Sequence, residues 1–270
     1  MQRSSSPDSL FDEHNDDPPI ATRTCPPIPG LYIFPGLLPR DIASQTLCDI
    51  AEADIFVGGT RDQVMLFESP PLNDTSDSSL PGYIHRLLFT LSSLLSHATP
   101  ATPTHTPPLP AQLHHLLFSQ PLARQAIINL YPAGTGITPH IDLVGRYADG
   151  VVGCSIIGGC AMTFSKAVAS VASQSQSQTQ SQSQGQRENR EERYNVYLPP
   201  RSVYILSGPA RWDWTHGIEA RCEDVVERKP KPGSRYKCEL EKEMETETIL
   251  RDLRLSITFR WLKHGANVLS

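Results

Sequence analysis

Hydrophobic and polar positions divide the chain into a first half with helical spacing and a second half with strand spacing. Gly30-Leu-Tyr-Ile-Phe-Pro-Gly reads as a short strand between turn residues. Pro39-Arg-Asp then opens a helix through about Ala53, with Leu47 and Ile50 among its apolar positions. A second short strand begins near Arg61 and closes at Phe67. Ile84–Leu95 repeats apolar residues as an amphipathic helix does, and Gln112–Phe118 continues as a short helix or turn. From Ala126 the pattern changes to strands. Val151–Phe164 is a pair of apolar segments broken by Gly158-Gly159, a hairpin signal. Further strands are predicted at Tyr194–Leu198, Val203–Leu206, near Ile218, and at Leu253–Leu262. Many short strands with turn signals between them predict a mainly β fold, a sandwich or jelly roll, with the helices of the first half packed outside.

Several stretches carry no such period. Residues 1–24 are polar, acidic and proline-containing and are predicted to form a disordered tail. Residues 69–82 read as a Ser/Asp/Pro loop and 97–111 as a Pro/Thr-rich linker. A single domain is expected over 25–263, interrupted by a low-complexity insertion at 170–193 and a charged insertion at 223–248. The first contains Ser173–Gln186, almost pure Ser-Gln repeat, which has no apolar surface to bury. Deleting Ser173–Gln186 should shift the melting temperature little, because loop closure costs only about 0.6 kcal/mol per doubling of length. Calorimetry of the deletion variant checks this, and a large loss of stability would mean that the repeat is packed. The second insertion holds the only dense basic run, Arg228, Lys229, Lys231, Arg235 and Lys237, among Glu223, Asp224, Glu227 and Glu239. It reads as a solvated charged loop, with contact to phosphates as the other reading.

Composition narrows the class. At 270 residues with 39% hydrophobic content, the chain can bury a sizeable core. A net charge of −5 gives no support to a surface coated in basic residues, so any nucleic-acid contact is a local patch. The six cysteines form no C-x-x-C pair, which argues against a zinc or thioredoxin-type motif, and Cys154 and Cys160 read as reduced core residues. The first residues lack the apolar stretch of a signal peptide, and no segment approaches the roughly 20 apolar residues of a membrane span. The expectation is a soluble monomer of the cytoplasm or nucleus, without membrane contact.

The chemistry centres on Asn129-Leu-Tyr-Pro-Ala-Gly-Thr-Gly-Ile-Thr-Pro-His140-Ile-Asp142, read as strand, Gly/Pro turn and second strand. Residues two apart in a strand share a face, so His140 and Asp142 can aim at one point and offer a metal an imidazole and a carboxylate. Non-haem iron(II) typically takes two His and one carboxylate on one side, leaving the other positions open. His216, in Trp212-Asp-Trp-Thr-His-Gly, is the best candidate for the remaining ligand. A histidine beside tryptophans equally suits a hydrogen-bonded core residue. In Arg254-Leu-Ser-Ile-Thr-Phe-Arg260 the apolar residues go to one face, and Arg254, Ser256, Thr258 and Arg260 to the other. That second face is either solvated or turned into a barrel. Interior arginines need anions, which a dicarboxylate cosubstrate supplies. Asn129 and Tyr131 share a strand face and can hydrogen-bond the same cosubstrate; Tyr131 also fits as a core aromatic.

Asn129-x-Tyr131, His140-x-Asp142, His216 and Arg254-x-Ser-x-x-Phe-Arg260, in this order, resemble the AlkB family of iron(II)- and 2-oxoglutarate-dependent dioxygenases. The resemblance runs from about Ile127 to Trp261 outside the two insertions. It implies a double-stranded β-helix (jelly roll) core, and His140, Asp142 and His216 as iron ligands. It implies Arg254 as partner of the distal carboxylate of 2-oxoglutarate, with Asn129, Tyr131 and Arg260 helping to hold it. His140-Ile-Asp-Leu and Ser207-Gly-Pro-Ala-Arg211…Trp214-Thr-His-Gly-Ile are most similar to the branch that hydroxylates modified wobble uridines in tRNA. Family members that repair alkylated bases often carry an acidic residue soon after the aspartate ligand, where this chain has Leu143-Val144. Arg61–Phe67 lies where the family builds its substrate lid, with Phe67-Glu68 where Tyr-Gly is usual; a plain edge strand is the other reading.

The resemblance therefore implies an oxidoreductase that couples Fe(II), 2-oxoglutarate and O2 to hydroxylation of an alkyl carbon, or to demethylation when that carbon is an N-methyl group. The expected substrate is a nucleic-acid base, RNA favoured over DNA. The alternatives are the same chemistry on a protein or small molecule, which the net acidity favours, and a non-enzymatic interaction module, which the intact ligand set disfavours.

Overall fold

The computed structural model describes residues 18–68, 80–96, 109–167, 191–229 and 245–266. The Ser-Gln repeat and most of the basic run fall outside them.

Three helices precede most of the sheet: α1 (Arg40–Glu52), α2 (Gly82–Ser96) and α3 (Ala111–Phe118). Helix α1 starts after Pro39 with Asp41 in its first turn, where a negative charge complements the helix dipole. Helix α2 buries Ile84, Leu87, Leu88, Leu91 and Leu95 along one stripe. Each such side chain contributes about 1.5–3 kcal/mol on full burial.

The strands are β1 (Leu31–Phe34), β2 (Gln63–Phe67), β3 (Arg124–Tyr131), β4 (Ile137–His140), β5 (Tyr147–Ile157) and β6 (Cys160–Ala167). They continue with β7 (Glu191–Leu198), β8 (Val203–Leu206), β9 (Thr215–Ile218), β10 (Glu223–Glu227), β11 (Thr246–Leu250) and β12 (Arg254–Leu262). A short helix α4 (Pro209–Trp212), not foreseen in the sequence, links β8 to β9. One sheet has the order β1-β8-β5-β12-β3-β2, the other β4-β9-β6-β7, and β10 pairs with β11. All strand pairs are antiparallel. This is a jelly roll, one of the two folds that the strand pattern allowed and the one that the resemblance implies. Among the described residues no helix is long and apolar enough to cross a membrane.

The alternation of β12 divides two cores. Leu255, Ile257 and Phe259 join Ile84, Leu87 and Leu91 in the layer between helices and large sheet. Met162, Phe164 and Ile218 of the small sheet meet Leu31, Val151 and Leu206 of the large one in the layer between sheets. Cys154 and Cys160 are buried and unpaired, as expected for reduced core thiols, and burial pushes Cys154 up to about 12.

The hairpin expected at Gly158-Gly159 is a correction. Strands β5 and β6 do not pair; β5 lies in the large sheet and β6 in the small one, and the two glycines carry the chain across. Gly158 must be glycine: at φ +69°, a Cβ there would stand 2.6 Å from the Leu253 carbonyl oxygen, while one on Gly159 would meet the Tyr197 hydroxyl at 2.4 Å and force that side chain to shift.

The expected tail and charged insertion also need correction. Ala21 is fully buried, with bridges from Ala21 to Val226 and from Thr22 to Val196, so order begins before residue 24. The two ends of 223–248 are the paired strands β10 and β11, not a solvated loop. They are fixed by a buried, bidentate Arg251–Asp224 pair at 2.7 and 2.8 Å, whose carboxylate also accepts from the Ala161 N–H at 3.0 Å. Opposite charges that pair in this way are what the mixed composition concealed.

Candidate metal and cosubstrate site

Strands β4 and β9 pair so that the Cα atoms of His140 and His216 are register partners, with ring centroids 4.5 Å apart. The approach of these strands needs Gly217, where a Cβ would lie 2.9 Å from the Ile137 carbonyl oxygen and from Pro139. Strand β4 ends at His140, so Asp142 lies just beyond it and not within a strand as the sequence reading placed it. The three residues nevertheless line one pocket between the sheets.

The donor atoms suit a metal. The Nδ1 of His140 lies 2.9 Å from the Thr138 carbonyl oxygen, which fixes the proton there and leaves the Nε2 lone pair free. Burial pushes His216 down to about 4, against the opposing effect of Asp142, so its imidazole is neutral at pH 7. Asp142 is 4% exposed; its Oδ1 accepts from Arg260. Its Oδ2 is buried without a hydrogen-bond partner, 4.0 Å from His216 Nε2. A buried carboxylate oxygen left open in this way needs a cation or donor that the described residues do not supply. Among the described residues the donors do not already close around one point. Asp142 is held toward Arg260, and its open oxygen is the one on the histidine side. The residues therefore fit a divalent metal by donor type, protonation and the unsatisfied oxygen.

The other end of the pocket is built on β12 and β3. Their register sets Arg254 opposite Tyr131 and Ser256 opposite Asn129. Arg254 is 6% exposed and donates to Ser256 Oγ at 2.8 Å and Ser155 Oγ at 3.2 Å, while its Nε has no partner. Among the described residues it has no carboxylate partner. A buried guanidinium held by hydroxyls and a neighbouring thiol, without an acid, is a receptor for an anion. Burial, and then Asp62, push the Tyr131 phenol up, so it stays a donor; it lies 3.2 Å from Asn129 Oδ1. The structure thus brings Asn129, Tyr131 and Arg254 together as expected. Arg260, expected beside the cosubstrate, lines the same pocket, where it donates to Asp142 and lies over the Tyr147 ring at 4.4 Å.

Two residues of this region were not singled out from the sequence. Gln63, on the edge strand β2, donates to Asn129 Oδ1 at 2.8 Å and lines the pocket. Its signal was the alternation Gln63, Met65, Phe67, which puts Gln63 on the face of its register partner Asn129. Buried Arg211, on α4, donates to the Asp142 carbonyl at 3.0 Å.

Residues 74–260 match the family model of the 2OG-Fe(II) oxygenase superfamily. The chain belongs to that superfamily, whose dioxygenases use iron(II), 2-oxoglutarate and O2. Its curated relatives include proteins named ALKBH8 or its homologue. It is 36% identical over 105 residues to the "Alkylated DNA repair protein ALKBH8 homolog" of Arabidopsis thaliana, covering 39% of this chain and 29% of that one. It is 30% identical over 141 residues to the "tRNA (carboxymethyluridine(34)-5-O)-methyltransferase alkbh8" of Xenopus tropicalis, covering 52% and 19%. It is also 30% identical over 136 residues to uncharacterized protein L905 of Acanthamoeba polyphaga mimivirus, covering 50% and 47%. The chain thus spans less than half the length of each of these relatives.

Proposed function

We propose that this chain is an AlkB-type Fe(II)- and 2-oxoglutarate-dependent dioxygenase that oxidises an alkyl group on a nucleic-acid base, with RNA as the favoured substrate. The observation that carries the reading is the two-ended pocket: an open Asp142 oxygen on the side of His216, whose register partner is His140, at one end, and a buried guanidinium without an acid partner at the other. In this reading His140, Asp142 and His216 hold the metal. Arg254 takes the distal carboxylate of 2-oxoglutarate, with Asn129 and Tyr131 donating or accepting beside it. Bound iron(II) supplies O2 activation coupled to oxidative decarboxylation of 2-oxoglutarate to succinate, with hydroxylation of the substrate carbon. The chain's own residues set the geometry. Arg260 fixes one oxygen of Asp142, the Thr138 carbonyl fixes the His140 tautomer, and the sheets exclude bulk water from Arg254. A hydroxylated N-methyl group loses formaldehyde, whereas a hydroxylated C-bound group is retained.

RNA is supported by the tRNA activity in the name of the Xenopus relative. The net charge of −5 favours a second reading, the same oxidation on a protein or small molecule. Succinate release measured across tRNA, methylated RNA and DNA oligonucleotides and protein separates them. The expected result is stimulation by RNA. Stimulation only by protein or small molecules would overturn the substrate assignment, and no succinate with any of them would overturn the enzymatic one.

A further inference from the structure

We propose that Arg211 is a positioning residue for the metal-binding carboxylate, acting through the backbone of the segment that carries Asp142. It rests on the reading of Asp142 as a metal ligand. Arg211 is 2% exposed, and the described residues give its guanidinium no carboxylate partner. Its Nη1 donates to the Asp142 carbonyl at 3.0 Å and its Nη2 to the Tyr147 carbonyl at 3.5 Å. One planar fork therefore spans both ends of the turn between those residues.

The turn is also closed by its own backbone, with the N–H groups of Arg146 and Tyr147 each 3.0 Å from the Leu143 carbonyl oxygen, and by Lys263, whose Nζ donates to the Val144 carbonyl at 2.8 Å and whose N–H donates to the Arg146 carbonyl at 2.9 Å. Leu143 and Val144 are exposed at its tip, so packing does not hold it there. The Tyr147 end is anchored by the pairing of β5 with β12, and Arg211 ties the Asp142 end, which no strand holds, to it. Arg260 completes the circuit: it donates to the Asp142 side chain and its guanidinium lies 4.4 Å from the centre of the Tyr147 ring. Backbone and side chain of Asp142 are thus each held by a separate guanidinium, and both guanidiniums also reach Tyr147.

The arrangement has a chemical logic. Asp142 lies beyond the end of β4, so no strand ladder fixes it. Arg211 lies on α4, just upstream of His216 on β9. The segment that delivers one candidate ligand therefore also locks the segment that delivers another. A lysine keeps the charge but lacks the fork that reaches two carbonyls at once.

The test is a titration of the anaerobic protein with Co(II) as probe, in the absence of 2-oxoglutarate, in parent, Arg211→Lys, His140→Ala and Arg251→Lys. Near-ultraviolet circular dichroism establishes that each is folded, and Arg211→Gln replaces the lysine variant if that one is not. His140→Ala should lose the site. Arg211→Lys should weaken Co(II) binding by about tenfold, the lower end of what removing a ligand's hydrogen-bonded support costs. Arg251→Lys disturbs an equally buried pair that does not line the pocket; it should lower the melting temperature and leave Co(II) affinity unchanged. Parent-like affinity in the folded Arg211 variant, or equal weakening in Arg251→Lys, would overturn the positioning role while leaving the metal assignment standing. No Co(II) binding by the parent, or none lost in His140→Ala, would overturn the metal assignment and the positioning role with it.

Discussion

Arg254→Ala is expected to weaken 2-oxoglutarate binding by about two to four orders of magnitude, since breaking a buried charge pair on one side costs about 3–5 kcal/mol. Coulomb attraction alone does not explain so large an effect; burial does. Arg254 is 6% exposed, and its partners Ser155 and Ser256 are neutral hydroxyls, so the incoming carboxylate meets a desolvated cation without a competing acid among the described residues. Arg254→Lys should recover part of the affinity, because the ammonium keeps the charge and lacks the fork. The same isolation predicts a mild effect on the empty protein. Removing Arg254 deletes an uncompensated buried charge along with its packing, and these contributions to stability oppose each other. The measurement is the rise in melting temperature on adding 2-oxoglutarate to the protein loaded with a redox-inert divalent metal. The parent should show it by mass action, and Arg254→Ala should not. An undiminished rise in Arg254→Ala would remove the β12 face from the cosubstrate site.

The contrast between Arg254 and Arg260 shows what was legible in the sequence. The two-residue period of β12 gave their common face, and the register to β3 bears it out. It could not give their different partners. Arg260 stands at the far end of the strand, where the turn after β4 brings Asp142 to it, and that turn follows no period. The same limit governs Gly158-Gly159. Two apolar runs around a glycine pair are read equally well as a hairpin or as a passage between sheets. What decides is the packing of Leu253 and Tyr197 against the glycines, which are distant in sequence. Ala21 had no signal at all, since a single small residue buried against Val226 and Tyr197 leaves no pattern in a polar, proline-rich stretch. The histidines were legible because His-x-Asp and Trp-Thr-His-Gly carry their chemistry locally. Gln63 and Arg211 were not, because their work is defined by the residues they touch.

Burial separates the two metal-site variants that the sequence alone treats alike, with His140→Ala and Asp142→Ala both expected to lose metal and keep the fold. His140 is exposed and its ring makes one hydrogen bond, to Thr138, so His140→Ala should abolish iron(II) binding with little change in melting temperature. Asp142 is 4% exposed and is the carboxylate on which Arg260 closes, with the buried Arg211 beside it. Asp142→Ala leaves Arg260, whose side chain is 11% exposed, without its anion, a loss of about 3–5 kcal/mol, or roughly 10 °C in melting temperature for a domain of this size. Asp142→Asn keeps an oxygen for Arg260 and should recover part of that stability. It should not recover the metal, because the amide has no charge to offer. Calorimetry and anaerobic iron titration of the three variants provide the test. Equal melting temperatures for His140→Ala and Asp142→Ala would show that Arg260 does not depend on Asp142. Parent-like iron binding in either would remove that residue from the ligand set.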